Sequence, residues 1–191
     1  MTLQIAEPQT KRWTREEYYR LAEEGWFRGQ RVQLIEGEII QMQAQGHPHA
    51  WAIMKLSRWL HAEYGSDFAI RIQMPLNVLD DSDPEPDAAV IAGSIDDLRD
   101  HPQTALLVIE VSDSSLALDR KKAFLYAAAR VQEYWIVDVE HRVVEMYRNP
   151  LADKSASRGF RYPAPTIVQP ADSISPLSKP QAVLKVSELF T

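Results

Sequence analysis

The fold turns on "ALLVIEVSDSSLALDRKKAFLYAAARVQEYWIVDV", residues 105–139. Its opening crowds Leu, Val and Ile together without the polar alternation of a half-exposed strand, so it reads as a strand covered on both faces. The middle, "LALDRKKAFLYAAAR", has the Ala, Leu and Lys content of a helix. "EYWIVDV" returns to strand. Strand, helix and strand in this order make a parallel crossover of the right-handed kind, and the predicted fold class is α/β with a mixed central sheet flanked by helices. One residue resists that pattern. Glu110 lies in the apolar run, where an unpaired carboxylate costs several kcal/mol or more, so it must be neutralised, paired or bound to a metal.

Strand alternation sends Leu106, Val108, Glu110 and Ser112 to one face and Leu107, Ile109 and Val111 to the other. Glu110 therefore leaves the strand near its end, on a face that a helix covers. The preceding strand begins "DPEPDAAVI", whose prolines favour extension and align Asp83, Glu85 and Asp87, with Asp87 nearest the buried part. Two carboxylates on neighbouring strands can share a magnesium-type cation, which takes oxygen ligands and keeps several waters. The plainer alternative is that Glu110 accepts bonds from a helix N-terminus or pairs with Arg120 or Lys122. Lys122 precedes Tyr126 by one turn on a partly apolar helix face, where an ammonium could stabilise charge on a phosphate. Periodicity does not separate it from Lys121, and a solvated lysine is the ordinary reading of either.

Outward from this core, "TREEYYRLAEEG" has Thr14 and Glu17 in capping-box spacing and closes on Gly25, predicting a helix. "VQLIEGEIIQM" reads as a hairpin around Glu36 and Gly37. His49, Ile53, Leu56, Leu60 and Tyr64 recur at steps of four and three, predicting a helix from His49 to Gly65, with His47 left in the loop before Pro48. "FAIRIQMPLNV" and "PDAAVI" read as strands, and "RVVEMYRN" pairs with "EYWIVDV" as a second hairpin. The proline-rich tail, residues 150–191, reads as loops with one or two edge strands and a short final turn at "VSELF".

With 191 residues, one domain is expected over 1–191, its core at about 13–150. The absence of cysteine excludes disulfide scaffolds and thiolate metal sites, and suits a cytoplasmic setting. The start, "MTLQIAEPQTKRW", lacks the pattern of a secretory leader, and no apolar run is long enough for a bilayer. A formal net charge of −6 argues against a surface coated for nucleic acid while leaving room for a local basic cleft. Tyr134 and Trp135, inside an apolar strand, are expected in the core.

Taken together, "LIEGEIIQM", "HAWAIMKLSRWL", "PEPDAAV", "LLVIEVSDSSLALDRKKAFLYA" and "EYWIVDV" resemble the Uma2 family (DUF820) of the PD-(D/E)xK nuclease superfamily. The likeness spans about residues 13 to 150 in the family's order. It implies a restriction-endonuclease-like core, with Asp87 and Glu110 as metal carboxylates and the carbonyl of Val111 completing the shell around Mg²⁺ or Mn²⁺. The superfamily's usual lysine position, two residues after the acid, holds Ser112 here. The chain resembles the variant whose lysine has moved to the next helix, four residues before a tyrosine, which selects Lys122. Gln33 stands where the family usually has an acidic residue, and His49 matches a typical histidine; both are auxiliary candidates. His49 could equally be a hydrogen-bonded core residue. The segment before Lys122 is one residue short, and Arg130 stands where glycine is common.

The function that follows is a magnesium-dependent phosphodiesterase, a DNA endonuclease with RNA as the other possible target, in a homodimer. The alternative is a catalytically degenerate nuclease fold acting as a nucleic-acid-binding or protein-interaction module.

Overall fold

The computed structural model describes residues 9–190. Most of the stretch read for a leader falls on residues 1–8, outside the described residues. The chain runs through α1 (Arg15–Glu23), β1 (Val32–Ile35), β2 (Glu38–Gln41), α2 (His47–Tyr64), β3 (Phe68–Ile72), β4 (Ala88–Ala92), β5 (Leu107–Ser112), α3 (Leu116–Ala128), β6 (Glu133–Asp138) and β7 (Val143–Arg148). Short strands follow: β8 (Leu151–Ala152), β9 (Phe160–Arg161), β10 (Thr166–Val168), β11 (Ser173–Ile174) and β12 (Leu184–Lys185), then a 3₁₀ turn at Val186–Leu189.

A mixed sheet in the order β10-β7-β6-β5-β4-β3 forms the centre. β5 and β6 are its parallel pair, joined through α3 as the crossover pattern requires, and their register sets Glu110 beside Ile136. β4 runs antiparallel to β5, with Ala88 opposite Ile109. The expected alternation holds within β5 and fails at Leu106, which precedes the strand, donates its N–H to the Val90 carbonyl and packs on the α2 side instead of beside Val108. Leu107, Ile109, Val111, Trp135 and Val137 pack under Ile53, Leu56 and Leu60 of α2. Val108, Tyr134 and Ile136 pack on Leu125 and Tyr126 of α3, so Glu110 faces α3. Tyr134 and Trp135 are wholly buried. The capping box joins Thr14 and Glu17 at the head of α1. No helix among the described residues is long and apolar enough to cross a membrane.

Three local features depart from the sequence pattern for identifiable reasons. α2 begins at His47, two residues earlier than expected, because Pro48 occupies the first turn, where its missing N–H has no helical partner to lose. His47 is thus helical and not a loop residue. The strand read across "FAIRIQMPLNV" stops at Ile72, where Gln73 takes φ +50° and turns the chain. Arg130 sits at φ +57°, the left-handed conformation for which glycine is suited. The N–H groups of Arg130 and Val131 close α3 on the carbonyls of Ala127 and Tyr126, so the turn keeps a glycine-type geometry without the glycine.

The tail completes the α2 side of the core: Ile174, Leu184, Val186 and Leu189 are buried there. It is tied to the sheet through Glu133, which is fully buried. Glu133 Oε1 accepts from Arg148 Nε (2.7 Å) and Trp135 Nε1 (2.8 Å), and Oε2 accepts from the Leu177 N–H (2.6 Å). Breaking a buried ion pair by removing one partner costs about 3–5 kcal/mol. Arg148→Ala is therefore expected to destabilise by about 3 kcal/mol in urea unfolding, whereas exposed Arg12→Ala should change stability by less than about 1 kcal/mol.

Candidate active site

The antiparallel pairing of β4 and β5 ends with Ala88 opposite Ile109, so Asp87, just before β4, and Glu110, the next residue of β5, both leave the ladder at the same end. Asp87 is fixed at both oxygens. Its Oδ2 accepts from the Val111 N–H at 2.8 Å. Its Oδ1 accepts from Gln73 Nε2 at 3.2 Å and lies 3.2 Å from His49 Nε2. Alternation of backbone groups along β5 turns the Val111 N–H and carbonyl to the β4 side, at the point where β4 has ended.

Glu110 Oε1 accepts from Lys122 Nζ at 3.0 Å and from Tyr126 Oη at 2.8 Å. Neither bond uses Oε2. Lys122 Nζ also lies 3.4 Å from Asp119 Oδ1, one helical turn back, and Asp119 is itself held by the hydroxyl of Ser115. Glu110, Lys122 and Asp119 are each 3% exposed or less. Lys121 is exposed to solvent, so the ambiguity between the two lysines is resolved in favour of Lys122. Arg120, the other partner considered for Glu110, bonds Glu145 instead.

Gln33 is buried in β1, where its Oε1 accepts from the Glu85 N–H at 3.4 Å. Gln33, His49, Asp87, Glu110, Val111 and Lys122 all line one cleft of about 400 Å³ between the β1–β2 hairpin, the head of α2 and α3. The structure thus brings these six candidates to one cleft, while Arg120, Lys121 and Asp83 lie outside it. Three contributors were missed. Asp119 had a signal in its i, i+3 spacing to Lys122. Tyr126 served only as a landmark for counting, and Gln73 reaches Asp87 through a turn that spacing does not reveal.

Burial pushes the Glu110 carboxyl up to about 8 despite the pull of Lys122, and the charges of Asp119 and Asp87 add to the rise. Burial alone would lower the Lys122 ammonium, but Glu110 and Asp119 outweigh it and raise its pKa. His49 is likewise raised, burial being overcome by its bond to Asp87. Three buried carboxylates, Asp87, Glu110 and Asp119, thus share one buried ammonium.

The oxygen donors of Asp87, Glu110 and Val111, with a proton on Glu110 that a cation can displace, suit a hard divalent cation. Among the described residues no three His, Asp or Glu side chains form a ready-made metal cage.

The crystal structure of a protein from Anabaena variabilis, described as a "putative nuclease belonging to DUF820", superposes with a TM-score of 0.74. Identity is 16%, over 93% of this chain and 97% of that one, a likeness of fold. No match was found among curated proteins. The profile of the Uma2 family, described as "Putative restriction endonuclease", matches residues 15–183, which takes in both sheet carboxylates, the buried lysine and most of the tail. The chain belongs to the Uma2 family.

Proposed function

We propose that this protein is a magnesium- or manganese-dependent phosphodiesterase that cuts DNA internally. The observation that carries this reading is that Asp87 and Glu110 line one cleft, with the buried ammonium of Lys122 bonded to Glu110. Asp87, Glu110 and the Val111 carbonyl would hold the cation, which when bound supplies Lewis acidity to the scissile phosphate and its attacking water. Lys122 donates hydrogen bonds to the phosphate oxygen that gains charge and helps to orient the water. Glu110 and Asp119 keep it charged, so it serves as a fixed cation and not as a base. His49 and Gln73 hold the rotamer of Asp87. Gln33 offers an amide to the water layer and adds no charge. Water attacks phosphorus and gives up a proton to solvent, the P–O bond to the leaving nucleoside breaks, and the released alkoxide takes a proton from a second water molecule.

The direct test is nicking of supercoiled plasmid, with a structured RNA in a parallel arm. Cleavage with Mg²⁺ or Mn²⁺, its loss in EDTA and its loss in Asp87→Asn support the reading. No cleavage of either substrate by the wild type would leave the second reading, a degenerate nuclease fold that binds nucleic acid or protein. Gln33 favours that alternative, because an amide cannot replace a missing carboxylate charge.

Glu110 also sets the pH dependence. Its folded-state value of about 8 lies above the ordinary 4.5, so its contribution to stability is complete below about 4.5 and is lost as pH rises towards and through 8. The metal-free protein should lose stability across that window. Cleavage should change in the opposite sense, rising with pH as the carboxylate forms. Because proton and cation compete for one group, tenfold more Mn²⁺ should move the midpoint of the rate profile to lower pH. A midpoint independent of metal concentration would exclude Glu110 as the titrating ligand.

The reading extends to a single domain over residues 1–191, a cytoplasmic setting suited to a chain without cysteine, and a homodimer whose two clefts address two strands. Sedimentation equilibrium tests the last.

A further inference from the structure

The outward face of α2 has no part in the cleft, and its charge is unlike that of the rest of the molecule. His47, Trp51, Lys55 and Arg58 follow one another at steps of four, four and three, forming a single stripe. The opposite face, with Ala52, Ile53, Leu56 and Leu60, is buried in the core. The chain has 27 acidic residues against 21 lysines and arginines, yet α2 has one acidic residue, Glu63, in its last turn.

At the head of the stripe the His47 and Trp51 rings stack with centroids 6.2 Å apart, and Lys55 Nζ lies 5.0 Å from the Trp51 ring. Phe190 forms part of the facing wall, with the Arg142 guanidinium 5.8 Å from its ring. Between them lies a groove of about 490 Å³ lined by His47, Pro48, Trp51, Val139, Arg142 and Phe190, none of them acidic. The groove adjoins the cleft through the first turn of α2, since Gly46 and His49 line the cleft while His47 lines the groove.

Aromatic faces that carry guanidinium and ammonium groups suit nucleobases with their phosphates: the rings stack on any base and the cations meet the backbone. We propose that this groove stacks the bases of an unpaired stretch of nucleic acid leading into the cleft, with Lys55 and Arg58 meeting its phosphates. The choice of nucleic acid as ligand rests on the nuclease reading. The stripe gives an acidic protein a local cationic surface beside the site, because α2 sets Lys55 and Arg58 against a single acidic residue, Glu63.

The test is fluorescence anisotropy of labelled twelve-nucleotide oligothymidylate and oligouridylate in EDTA, where no cleavage can occur. Wild type should bind one or both. Trp51→Ala should weaken binding about tenfold or more, with Trp51→Phe restoring much of the loss. Lys55→Glu with Arg58→Glu should weaken binding and make the salt slope shallower by about 0.7 for each phosphate no longer neutralised. Lys154→Ala, an exposed lysine outside both the groove and the cleft, should bind as tightly as wild type, which separates the stripe from charge lost elsewhere on the surface.

Failure of the wild type to bind either strand overturns the proposal. So does unchanged binding in both stripe variants, or a Trp51→Ala effect that follows dissociation of a dimer in sedimentation instead of oligonucleotide affinity. Melting curves verify that each variant is folded, and Trp51→Phe provides a second probe if the alanine variant is not. Binding through α2 without cleavage in Mn²⁺ supports the groove while removing the nuclease reading. Cleavage that is insensitive to the stripe does the reverse.

Discussion

Lys122→Met is expected to lower the single-turnover cleavage rate by about 10²–10³-fold, the usual cost of removing one donor aimed at developing charge. The unbranched methionine side chain replaces the lysine stem in the same buried space, so the loss should arise from the missing ammonium and not from a collapsed helix. In the metal-free protein the substitution takes away the one cation close to Glu110 and Asp119. Glu110 escapes part of the penalty by taking a proton, so the loss of stability should be smaller than the about 3–5 kcal/mol of a pair that cannot neutralise itself. Lys122→Arg should not rescue activity, because a planar fork does not fit a space shaped for a single ammonium between two carboxylates. A Lys122→Met enzyme cutting within about threefold of wild type would remove lysine from the mechanism.

The second large effect concerns the cation itself. Calorimetric titration of wild type with Mn²⁺ should give a binding isotherm, and Glu110→Ala should give none. A ligand that binds only the native state stabilises it by about 2.7 kcal/mol at a hundred times its dissociation constant. The wild type should therefore melt at higher temperature in excess Mn²⁺, and the variant should not. In the metal-free state Glu110→Ala leaves Lys122 with Asp119 and deprives Tyr126 of its acceptor, so its own melting point should fall. The metal-dependent increment, not the absolute melting point, is the informative quantity. Equal increments in both proteins would place the cation elsewhere, and no heat from either would indicate a retired site.

The three central residues are readable in the sequence because strand alternation is rigid. Once "LLVIEV" is a covered strand, Glu110 must face the helix that follows, and the extended "PEPD" segment carries Asp87 to the same edge. Lys122 is less legible: helical periodicity on a short, Ala-rich segment does not choose between adjacent lysines, and burial decides it. Asp119 meets Lys122 within α3, one turn apart, whereas Gln73 acts through a contact that depends on the meeting of separate segments. Gln73 in particular reaches Asp87 because its backbone adopts φ +50°, a conformation that no residue-type rule assigns to glutamine. His47 falls outside the expected helix because a proline can mark either a stop or a first turn, and here Pro48 belongs to the start. The groove beside the stripe of α2 is not apparent from spacing, because its facing wall, Phe190, lies more than 130 positions later in the chain.

The tail has a consequence for biosynthesis. Asp87, Glu110 and Lys122 have all been translated well before Ile174, Leu184, Val186 and Leu189 emerge, yet those late residues close the layer against which α2 and the central strands pack. A ribosome-bound chain that stops short of them exposes the apolar side of its sheet and has no firm support for the helix that brings His49 to Asp87. Assembly of the cleft is thereby delayed until these residues have emerged, and a product terminated before them should be a substrate for proteolysis instead of a smaller working copy.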